Sequence, residues 1–453
     1  MNKMHSIMEM LNNIFHNKLK KDIAWTLGSF SILAMSGVII NIMVAWLRDV
    51  STLGVFNLAY AIYIIASQIA VCGLHYSVMR HSALYESSPD TRQKLMHTAS
   101  IMSLMLGFLV AILVYIFSPL LGALFHSPAA AKAISCSALG LTLFPLNKVL
   151  LAYLNGLREM KIFSLLQSLR YTIVMVWVTF MSASTLPIEY ITYGFFVAEF
   201  ITTCIALGYM YWKKLFMVNQ WSFSVRWAKL HFSFGAKSLL AGMFVELNSR
   251  VDVLLIGMYL TESQVGIYSF LAMLVDGLYH VLAMVRINFN PVLVGAVRDN
   301  KFKEIQNLLF ASLKYIYPIT LLLSLCIMFS FWFFSNFILP EKGLQEGLAA
   351  LCILCTCLTC ISAFIPFDNL LLASGHPGYQ TSQHLAVVFS NILLNVMLIP
   401  IFGINGAAFA TGMSYFIGIM VLAILTHYLL KWKILALFKR DAGKEMTVAI
   451  QPS

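Results

Sequence analysis

Charged side chains are scarce in this sequence of 453 residues: Asp, Glu, Lys and Arg make up only 11% of it. Soluble domains carry about 25% charged residues. Hydrophobic residues instead make up 60% of the chain, and the mean hydropathy is +0.82. This balance excludes an ordinary soluble enzyme or binding module, and it predicts an all-α polytopic membrane protein.

A cleavable secretion signal is also missing from the pattern. Residues Met1–Asp22 are of mixed polarity, and the apolar stretch Ala24–Leu47 that follows is longer than the roughly 7–15 residues of a signal-peptide core. We therefore expect this stretch to remain in place as the first membrane span.

Motifs for metals, nucleotides and catalysis are lacking as well. Four of the cysteines lie in Cys352–Cys360 at i, i+3, i+5 and i+8, which spreads them around a helix, whereas zinc knuckles need paired CxxC spacing. Phe234–Ser238 contains Lys-Ser but lacks the glycines of a phosphate-binding loop. His280, His384 and His427 have no general-base partner at a recognisable spacing. We expect no disulfide framework, metal, cofactor, nucleotide site or enzymatic activity.

Long apolar stretches, by contrast, are abundant. Stretches of about 20 apolar residues suffice to span a bilayer, and about twelve such spans can be drawn. The first six are Ala24–Leu47, Leu53–Met79, Leu95–Phe117, Ala129–Leu154, Phe163–Met181 and Glu189–Trp212. The second six are Phe234–Tyr259, Gln264–Val294, Leu308–Phe337, Gly347–Leu372, Ser382–Ile401 and Asn405–Leu430. We expect a first bundle at 1–212, a cytoplasmic connection at 213–233, a second bundle at 234–430 and a cytoplasmic tail at 431–453.

Lys and Arg are concentrated in alternate loops. They precede the first span (Lys18, Lys20, Lys21) and follow the second (Arg80, Arg92, Lys94), the fourth (Arg158, Lys161), the eighth (Arg298, Lys301, Lys303) and the twelfth (Lys431, Lys433, Lys439, Arg440). Cytoplasmic loops carry such an excess, so both termini are expected in the cytoplasm. The net charge of +11 is explained by this bias, and by the attraction of basic loops to anionic lipid headgroups. It gives no support to nucleic-acid binding.

The two halves of the chain resemble each other. "LRDVSTLGVFNLAYAIY" from Leu47 matches "YLTESQVGIYSFLAMLV" from Tyr259, and "LAYLNGLREMKIFSLLQ" from Leu151 matches "LLLASGHPGYQTSQHLA" from Leu370. An even number of spans per repeat gives both copies the same orientation. Substrates of transporters with such repeats bind near the bilayer midplane, so the pattern predicts two pseudo-symmetric six-helix bundles around a central cavity.

Several of these stretches resemble one protein family. They are Gly54 and Gly266 with their aromatic followers, "GLHYSVMRH" at Gly73–His81, the loop "LNGLREMKIFS", and "NILLNVMLIPIFGINGAAFATGMSY" at Asn391–Tyr415. Together they resemble the polysaccharide flippases of the multidrug/oligosaccharidyl-lipid/polysaccharide (MOP) exporter superfamily, over nearly the whole chain.

This resemblance implies a protein of the bacterial inner membrane. It would move a polyprenyl-diphosphate-linked oligosaccharide from the cytoplasmic to the periplasmic leaflet, as in O-antigen, capsule or exopolysaccharide assembly. The implied partners are this lipid-linked oligosaccharide, membrane lipids and polysaccharide-assembly proteins.

Ionisable side chains inside the predicted spans are the candidate site residues, because charges there are unfavourable by about 2.5–3.5 kcal/mol each. The candidate substrate-binding cations are Arg48, Lys148, Arg170, Arg250, Arg286 and Lys314. The candidate coupling or charge-balancing acids are Glu246, Asp252, Asp276 and Asp368. For Lys148, Arg170 and Lys314, an alternative is that each lies close enough to a span end to reach the headgroups.

Arg250 lies deeper than these three, roughly 13 Å from the outer end of its predicted span at 1.5 Å per residue. Glu246 precedes it at the i, i+4 spacing that favours an ion pair. The pair either lines the cavity or locks two helices together.

Cations that face a water-filled cavity would suit a diphosphate, which accepts forked hydrogen bonds from guanidinium groups. The acids would balance their charge or carry a coupling proton or sodium ion. Two other functions stay open: a cation-coupled multidrug exporter of the same superfamily, and a membrane glycan polymerase or acyltransferase. The number of intramembrane Lys and Arg side chains favours an anionic substrate over organic cations.

Overall fold

The computed structural model describes residues 2–85, 87–216, 222–299 and 301–430, and every regular element in these ranges is a helix. The chain separates into two compact units, Met1–Met243 (unit 1) and Phe244–Ser453 (unit 2). The boundary lies C-terminal to the connection expected at 213–233. The tail expected at 431–453, with its basic residues, lies outside the described residues.

Unit 1 is built from long helices separated by short turns. They are α1 (Asn2–Leu47), α2 (Val50–Val71), α3 (Leu74–Leu84), α4 (Pro89–Leu124), α5 (Pro128–Leu141), α6 (Phe144–Gly156), α7 (Met160–Ala183), α8 (Tyr193–Trp212) and α9 (Val225–Asn248), which runs past the unit boundary. Ser127 caps α5 by accepting from the Ala130 amide, and Pro128 occupies the first helical position. Local sequence signals thus begin these helices where side chains can satisfy their first N–H groups.

Two of the predicted spans of unit 1 are divided. The second breaks between α2 and α3, where Cys72 and Gly73 both adopt the left-handed conformation. A Cβ at Gly73 would overlap the backbone of Gly235 on α9, so only glycine allows this close approach. The fourth span comprises α5 and α6, which are bent by 42°. These breaks set the directions in which the side chains of α3 and α6 point.

The connection to α9 packs onto unit 1 through polar contacts. Thr98 accepts a hydrogen bond from the Ser224 amide at 3.0 Å, and the buried ring of His231 lies 2.8 Å from the Ser77 hydroxyl. Nearby, the core of unit 1 is formed by large side chains of α3, α4, α6 and α8, among them Leu95 and Tyr153. The segment that leads from residue 222 into the start of α9 is therefore packed against unit 1.

Unit 2 contains α10 (Val251–Tyr259), α11 (Glu262–Arg298), α12 (Phe302–Ala311), α13 (Tyr317–Phe333), α14 (Leu348–Ile361), α15 (Leu370–Ala373) and α16 (Pro377–Leu430). A capping box at Thr261 and Gln264 begins α11. Two π-helical turns, Ser312–Ile316 and Phe334–Ile338, flank α13. Two hydrophobic clusters hold the unit together, one including Leu293 and Leu371, the other Leu278 and Leu358.

Within the described residues, nine helices are long and apolar enough to cross a membrane, or ten if the bent pair α5 and α6 counts as one span. This count treats α16 as one span. As a continuous helix its 54 residues would extend about 80 Å, whereas a bilayer core is about 30 Å thick. Gly403 has non-helical angles (φ 58°, ψ −138°) and divides α16 between the predicted spans Ser382–Ile401 and Asn405–Leu430. The predicted all-α polytopic membrane fold is confirmed.

Candidate functional site

A buried ion pair lies among the helices of unit 1. Arg170 on α7 donates from Nε to the Oε1 atom of Glu199 on α8 at 2.6 Å, and only 14% and 1% of these side chains are exposed. The Asn147 amide donates to Glu199 Oε2 at 2.7 Å and to the Thr202 hydroxyl at 2.5 Å. The Tyr63 hydroxyl donates to Glu199 Oε1 at 3.5 Å. One cation and two neutral donors therefore satisfy the Glu199 carboxylate.

Aromatic rings surround the Arg170 guanidinium. Its central carbon lies 4.8 Å from the ring centroid of Phe144 and 5.4 Å from that of Tyr171. Tyr63 contacts the same Phe144 ring edge-on, with centroids 5.8 Å apart. Such cation–ring contacts stabilise by about 0.5–2 kcal/mol, more when water is excluded. The Arg170 charge is thus held inside unit 1 by an acid and by rings.

In unit 2, a buried acid stands among neutral donors. Asp252, in the first turn of α10, is 7% exposed. Its Oδ2 atom accepts from the hydroxyls of Tyr268 at 3.0 Å and Thr411 at 2.6 Å, and its Oδ1 atom accepts from the Asn395 amide at 2.9 Å. None of the ion pairs in the described ranges includes Asp252. Because a buried carboxylate without a counter-charge is unfavourable, uptake of a proton or a small cation here would be favourable.

The oxygens beside Asp252 suit a hard cation. Asn391 and Asn395 lie one turn apart on α16, both fully buried, and Asn395 donates to Asn391 Oδ1 at 2.7 Å. The Oδ1 atom of Asn395 has no hydrogen-bond partner among the described residues and is directed away from Asp252, because the Asn395 amide nitrogen donates to that carboxylate. The Asp252 carboxylate, the Asn391 amide oxygen and the Thr411 hydroxyl offer the ligand type that hard cations prefer. Because these ligands carry one carboxylate, the set fits a monovalent ion.

A transition-metal or zinc site has no support in the geometry. The described part of the chain contains no group of three or more His, Cys, Asp or Glu side chains that could hold a metal ion.

A second polar cluster of unit 2 surrounds Asp368, just before α15. Asp368 Oδ2 accepts from Nη1 of Arg286 on α11 at 2.8 Å, and 22% and 23% of these side chains are exposed. The Gln383 amide donates to Asp368 Oδ1 at 3.0 Å, and the Gln380 amide donates to the Asp368 main-chain oxygen at 2.8 Å. Arg286 also donates to the Tyr279 hydroxyl at 3.5 Å. The structure therefore brings the candidate residues Arg286 and Asp368 together.

Arg48 contacts the end of a helix. Its guanidinium donates to main-chain oxygens at and beyond the C-terminus of α7: Met181, Ser182, Ser184 and Leu186. The last carbonyls of a helix lack the amide of a following turn as a partner, and a cation also complements the negative end of the helix dipole. Arg48 thus stabilises the turn that follows α7.

The two candidate lysines differ in their surroundings. Lys148, half-buried on α6, lies close enough to His75 for electrostatic interaction. Lys314 is exposed on the π-helical turn before α13, with its ammonium 5.2 Å from the ring centroid of Tyr315.

Arg250 lies at a helix break. Helix α9 ends at Asn248 and α10 begins at Val251, so Ser249 and Arg250 form the turn between them. The predicted continuous span Phe234–Tyr259 is therefore wrong at this point, and Glu246 does not precede Arg250 along one uninterrupted helix. The half-buried Arg250 interacts electrostatically with Asp276 on α11, which also lies near His280.

The sequence pointed to the charged members of these clusters more readily than to their neutral partners. Glu199 is an intramembrane acid, yet it is absent from the candidate set because nothing in its local sequence indicates a partner. Asn391 and Asn395 carried a usable signal, since two amides at i, i+4 in an apolar span must meet another polar group. Tyr268 and Thr411 carried none, because both residues are common in membrane helices.

Comparisons with known proteins agree with this architecture. A family model described as "Polysaccharide biosynthesis protein" matches residues 19–286. No curated protein sequence matches the chain.

Three solved structures illustrate the likeness in fold. "Lipid II flippase MurJ, inward closed conformation" has a TM-score of 0.69 at 15% identity, covering 92% of this chain and 90% of that one. An inward-facing multidrug resistance MATE family transporter of the MOP superfamily has a TM-score of 0.66 at 15% identity, covering 90% and 96%. The MATE multidrug transporter DinF-BH has a TM-score of 0.59 at 13% identity, covering 91% and 95%. At these identities the likeness shows the fold.

The matched segment is more than half of the sequence, and it includes most of α1, all of α2 to α10 and most of α11. The family expected from the sequence is thereby confirmed by the family model, and the solved structures agree in fold. The chain belongs to the polysaccharide biosynthesis protein family.

Proposed function

We propose that this protein is a flippase that moves a polyprenyl-diphosphate-linked oligosaccharide from the cytoplasmic to the periplasmic leaflet of a bacterial inner membrane. The observation that carries the proposal is the family match over 19–286 on a fold similar to that of a lipid II flippase. O-antigen, capsule or exopolysaccharide is the class of product that the glycan would enter. Polysaccharide-assembly proteins would act before and after this step.

A deletion strain tests this function. Loss of the gene should abolish the surface glycan and leave the lipid-linked oligosaccharide in the inner membrane, with its sugar accessible only from the cytoplasm. The full chain supplied from a plasmid should restore export. Normal surface glycan in the deletion strain would contradict the proposal.

The proposed topology places both termini, and therefore the turn between α15 and α16, on the cytoplasmic side. Its basis is the alternation of Lys and Arg between loops. The proposed organisation keeps the two six-helix bundles at 1–212 and 234–430, the cytoplasmic connection at 213–233 and the cytoplasmic tail at 431–453. A dual reporter inserted after Gly343 should be active as a periplasmic enzyme, and one inserted after Gly375 as a cytoplasmic enzyme. The reverse pattern would invert the scheme.

Arg250 is the proposed principal ligand of the diphosphate, with Arg286, Arg170, Arg48, Lys148 and Lys314 as further cations along the transport route. A helix break supports this role for Arg250, because such breaks in transporters present backbone and side-chain polar groups to ligands. Arg250→Ala should lower glycan export at normal protein levels, and Arg250→Lys should restore it only in part, since Lys loses the forked geometry. Normal export by Arg250→Ala would exclude the role.

Asp252 is the proposed coupling residue, and it would bind a proton or a sodium ion during transport. The support is its burial among neutral donors, with no ion pair to it in the described ranges. Glu246, Asp276 and Asp368 would balance the charge of neighbouring cations. Because an ion gradient would drive the cycle, we expect no cofactor and no catalytic activity of the chain.

A multidrug exporter is the second candidate function, because the solved structures with this fold include MATE multidrug transporters. Drug sensitivity of the deletion strain separates the two functions. Increased sensitivity to cationic drugs with normal surface glycan would favour drug export. A glycan polymerase or acyltransferase would instead be revealed by product formation with the purified protein.

A further inference from the structure

Two neighbouring glutamines of α16 have buried amide oxygens in unit 2. Gln380 and Gln383, one turn apart on α16, are only 6% and 3% exposed. The Oε1 atoms of both have no hydrogen-bond partner among the described residues. Buried acceptors are nearly always satisfied in folded proteins, so a donor from outside the described part of the chain is required.

The orientation of both amides is fixed by Asp368. The Nε2 atom of Gln383 donates to the Asp368 carboxylate at 3.0 Å, and Nε2 of Gln380 donates to the Asp368 main-chain oxygen at 2.8 Å and lies 3.1 Å from His384 Nε2. Rotating either amide by half a turn would place two acceptor oxygens against each other. The two Oε1 atoms are therefore directed away from their Asp368 acceptors and remain available as acceptors.

The missing group must donate hydrogen bonds. A diphosphate is an acceptor and cannot satisfy these oxygens, and an isoprenoid chain carries no polar hydrogen. Sugar hydroxyl and acetamido groups donate, and they also accept from donors such as the Arg286 guanidinium. The same cluster contains an ion pair that is about one-fifth exposed and the stacked rings of Tyr279 and Tyr415, whose centroids are 6.1 Å apart. Such rings offer the apolar surface against which sugar rings pack.

We propose that Asp368, Gln380 and Gln383, with Arg286 and His384 beside them, form a sugar-binding subsite that recognises the glycan of the lipid-linked substrate. The inference rests on the proposed flippase function and adds a site that recognises the sugar. In the proposed orientation, this subsite lies near the cytoplasmic turn between α15 and α16. It would therefore select the glycan on entry, separately from Arg250, the proposed principal ligand of the diphosphate.

Binding of two probes to the purified full-length protein in lipid nanodiscs tests the subsite. One probe is polyprenyl diphosphate without a sugar. The other is the lipid-linked glycan extracted from cells that lack this gene. Gln383→Leu should weaken binding of the glycan probe about five- to tenfold, since one hydrogen bond is lost, and should leave binding of the bare lipid within about twofold.

Gln306→Leu is the matched control, because Gln306 is also a buried amide of unit 2, is 7% exposed, and lies on α12. It should bind both probes like the wild type. Gln380→Met removes the neighbouring oxygen and should reproduce the effect of Gln383→Leu if that variant does not yield monodisperse protein. In the wild type, the glycan released from its lipid should compete with the glycan probe and not with the bare lipid.

Three results would overturn the inference. Equal weakening for both probes would show that the cluster supports the fold or the diphosphate. Unchanged binding of both probes, with no competition by the released glycan, would show that buried water satisfies the two oxygens. Wild-type protein that binds neither probe would reject the proposed function itself, and the subsite with it.

Discussion

Each unit buries one acid among its helices, and the two acids have different partners. In unit 1, Glu199 is paired with Arg170 at 2.6 Å. In unit 2, Asp252 is met by the hydroxyls of Tyr268 and Thr411 and by an Asn395 amide. The first acid has a cationic partner, whereas none of the ion pairs in the described ranges includes the second.

This difference separates a structural charge from a functional one. A buried ion pair satisfied by its own helices is unfavourable to break, because breaking it would leave two uncompensated charges. A buried acid held only by neutral donors changes its energy whenever a proton or cation arrives or leaves. The comparison therefore favours a structural role for the unit 1 cluster and agrees with the coupling role proposed for the unit 2 cluster.

The largest expected effect comes from breaking the pair in unit 1. Glu199→Gln would leave Arg170 buried without a counter-charge, and should lower the free energy of unfolding in detergent by about 3–5 kcal/mol. Asp252→Asn removes a charge without stranding another, and should stay within about 1 kcal/mol of the wild type. Chemical denaturation of the purified variants measures both.

The double variant Arg170→Met with Glu199→Gln is the control, because it removes both charges and should recover most of the lost stability. If Asp252→Asn destabilised the protein as much as Glu199→Gln, the two acids would not differ as the comparison requires.

Acidification should act on unit 1 through the buried His231. Burial lowers the pKa of His231, which lies outside the predicted membrane spans, from 6.5 to about 4. As the pH falls below about 6.5, His231 takes up a proton in the unfolded chain but not in the folded protein. The free energy of unfolding therefore decreases between about pH 6.5 and pH 4, and the loss is about 2 kcal/mol at pH 5. Thermal unfolding at pH 7.5 and pH 5 should show this loss in the wild type, and His231→Gln should reduce it. An equal loss in both proteins would assign the pH dependence to other groups.

The ion pair of Arg286 and Asp368 should be less sensitive than the buried pair of unit 1. About one-fifth of each side chain is exposed, so water can replace the lost partner. Asp368→Asn should therefore lower the free energy of unfolding by about 1–2 kcal/mol. A loss as large as that of Glu199→Gln would mean that exposure does not control the strength of these pairs.

The smallest effect is expected for the ion pair of Lys132 and Glu189, separated by 3.3 Å, with 69% of the Lys132 side chain exposed. Lys132→Gln should change the free energy of unfolding by less than about 0.5 kcal/mol, because exposed pairs gain little from attraction in water. A change above 1 kcal/mol would place this pair with the buried ones.

The apolar length of each span could be read from the sequence, because hydrophobicity is a local property. The division of α16 at Gly403 was predicted for the same reason, since a glycine separates two stretches that each suffice to cross a bilayer. The break at Ser249 and Arg250 was missed, although three polar residues in a row, Asn248 to Arg250, interrupt the apolar pattern there.

The partners of the charged residues could not be read in the same way. Asp252 contacts side chains 16, 143 and 159 residues away, and Arg170 contacts one 29 residues away. Such pairs depend on which helices pack together and on how each helix is rotated. The sequence predicts that an intramembrane charge needs a partner, and the packed helices decide which residue it is.

Flipping of the lipid-linked glycan in proteoliposomes, under a sodium gradient and separately under a pH gradient, tests the central claim most directly. Wild-type protein should flip at least about tenfold faster under one of these gradients than without it, and Asp252→Asn should flip at the same slow rate in every condition. Lys132→Gln, which removes an exposed charge of unit 1 outside the proposed route, should keep its response to the gradient. An Asp252→Asn protein that responds to the gradient as the wild type does would contradict the assignment of Asp252 as the site of ion exchange.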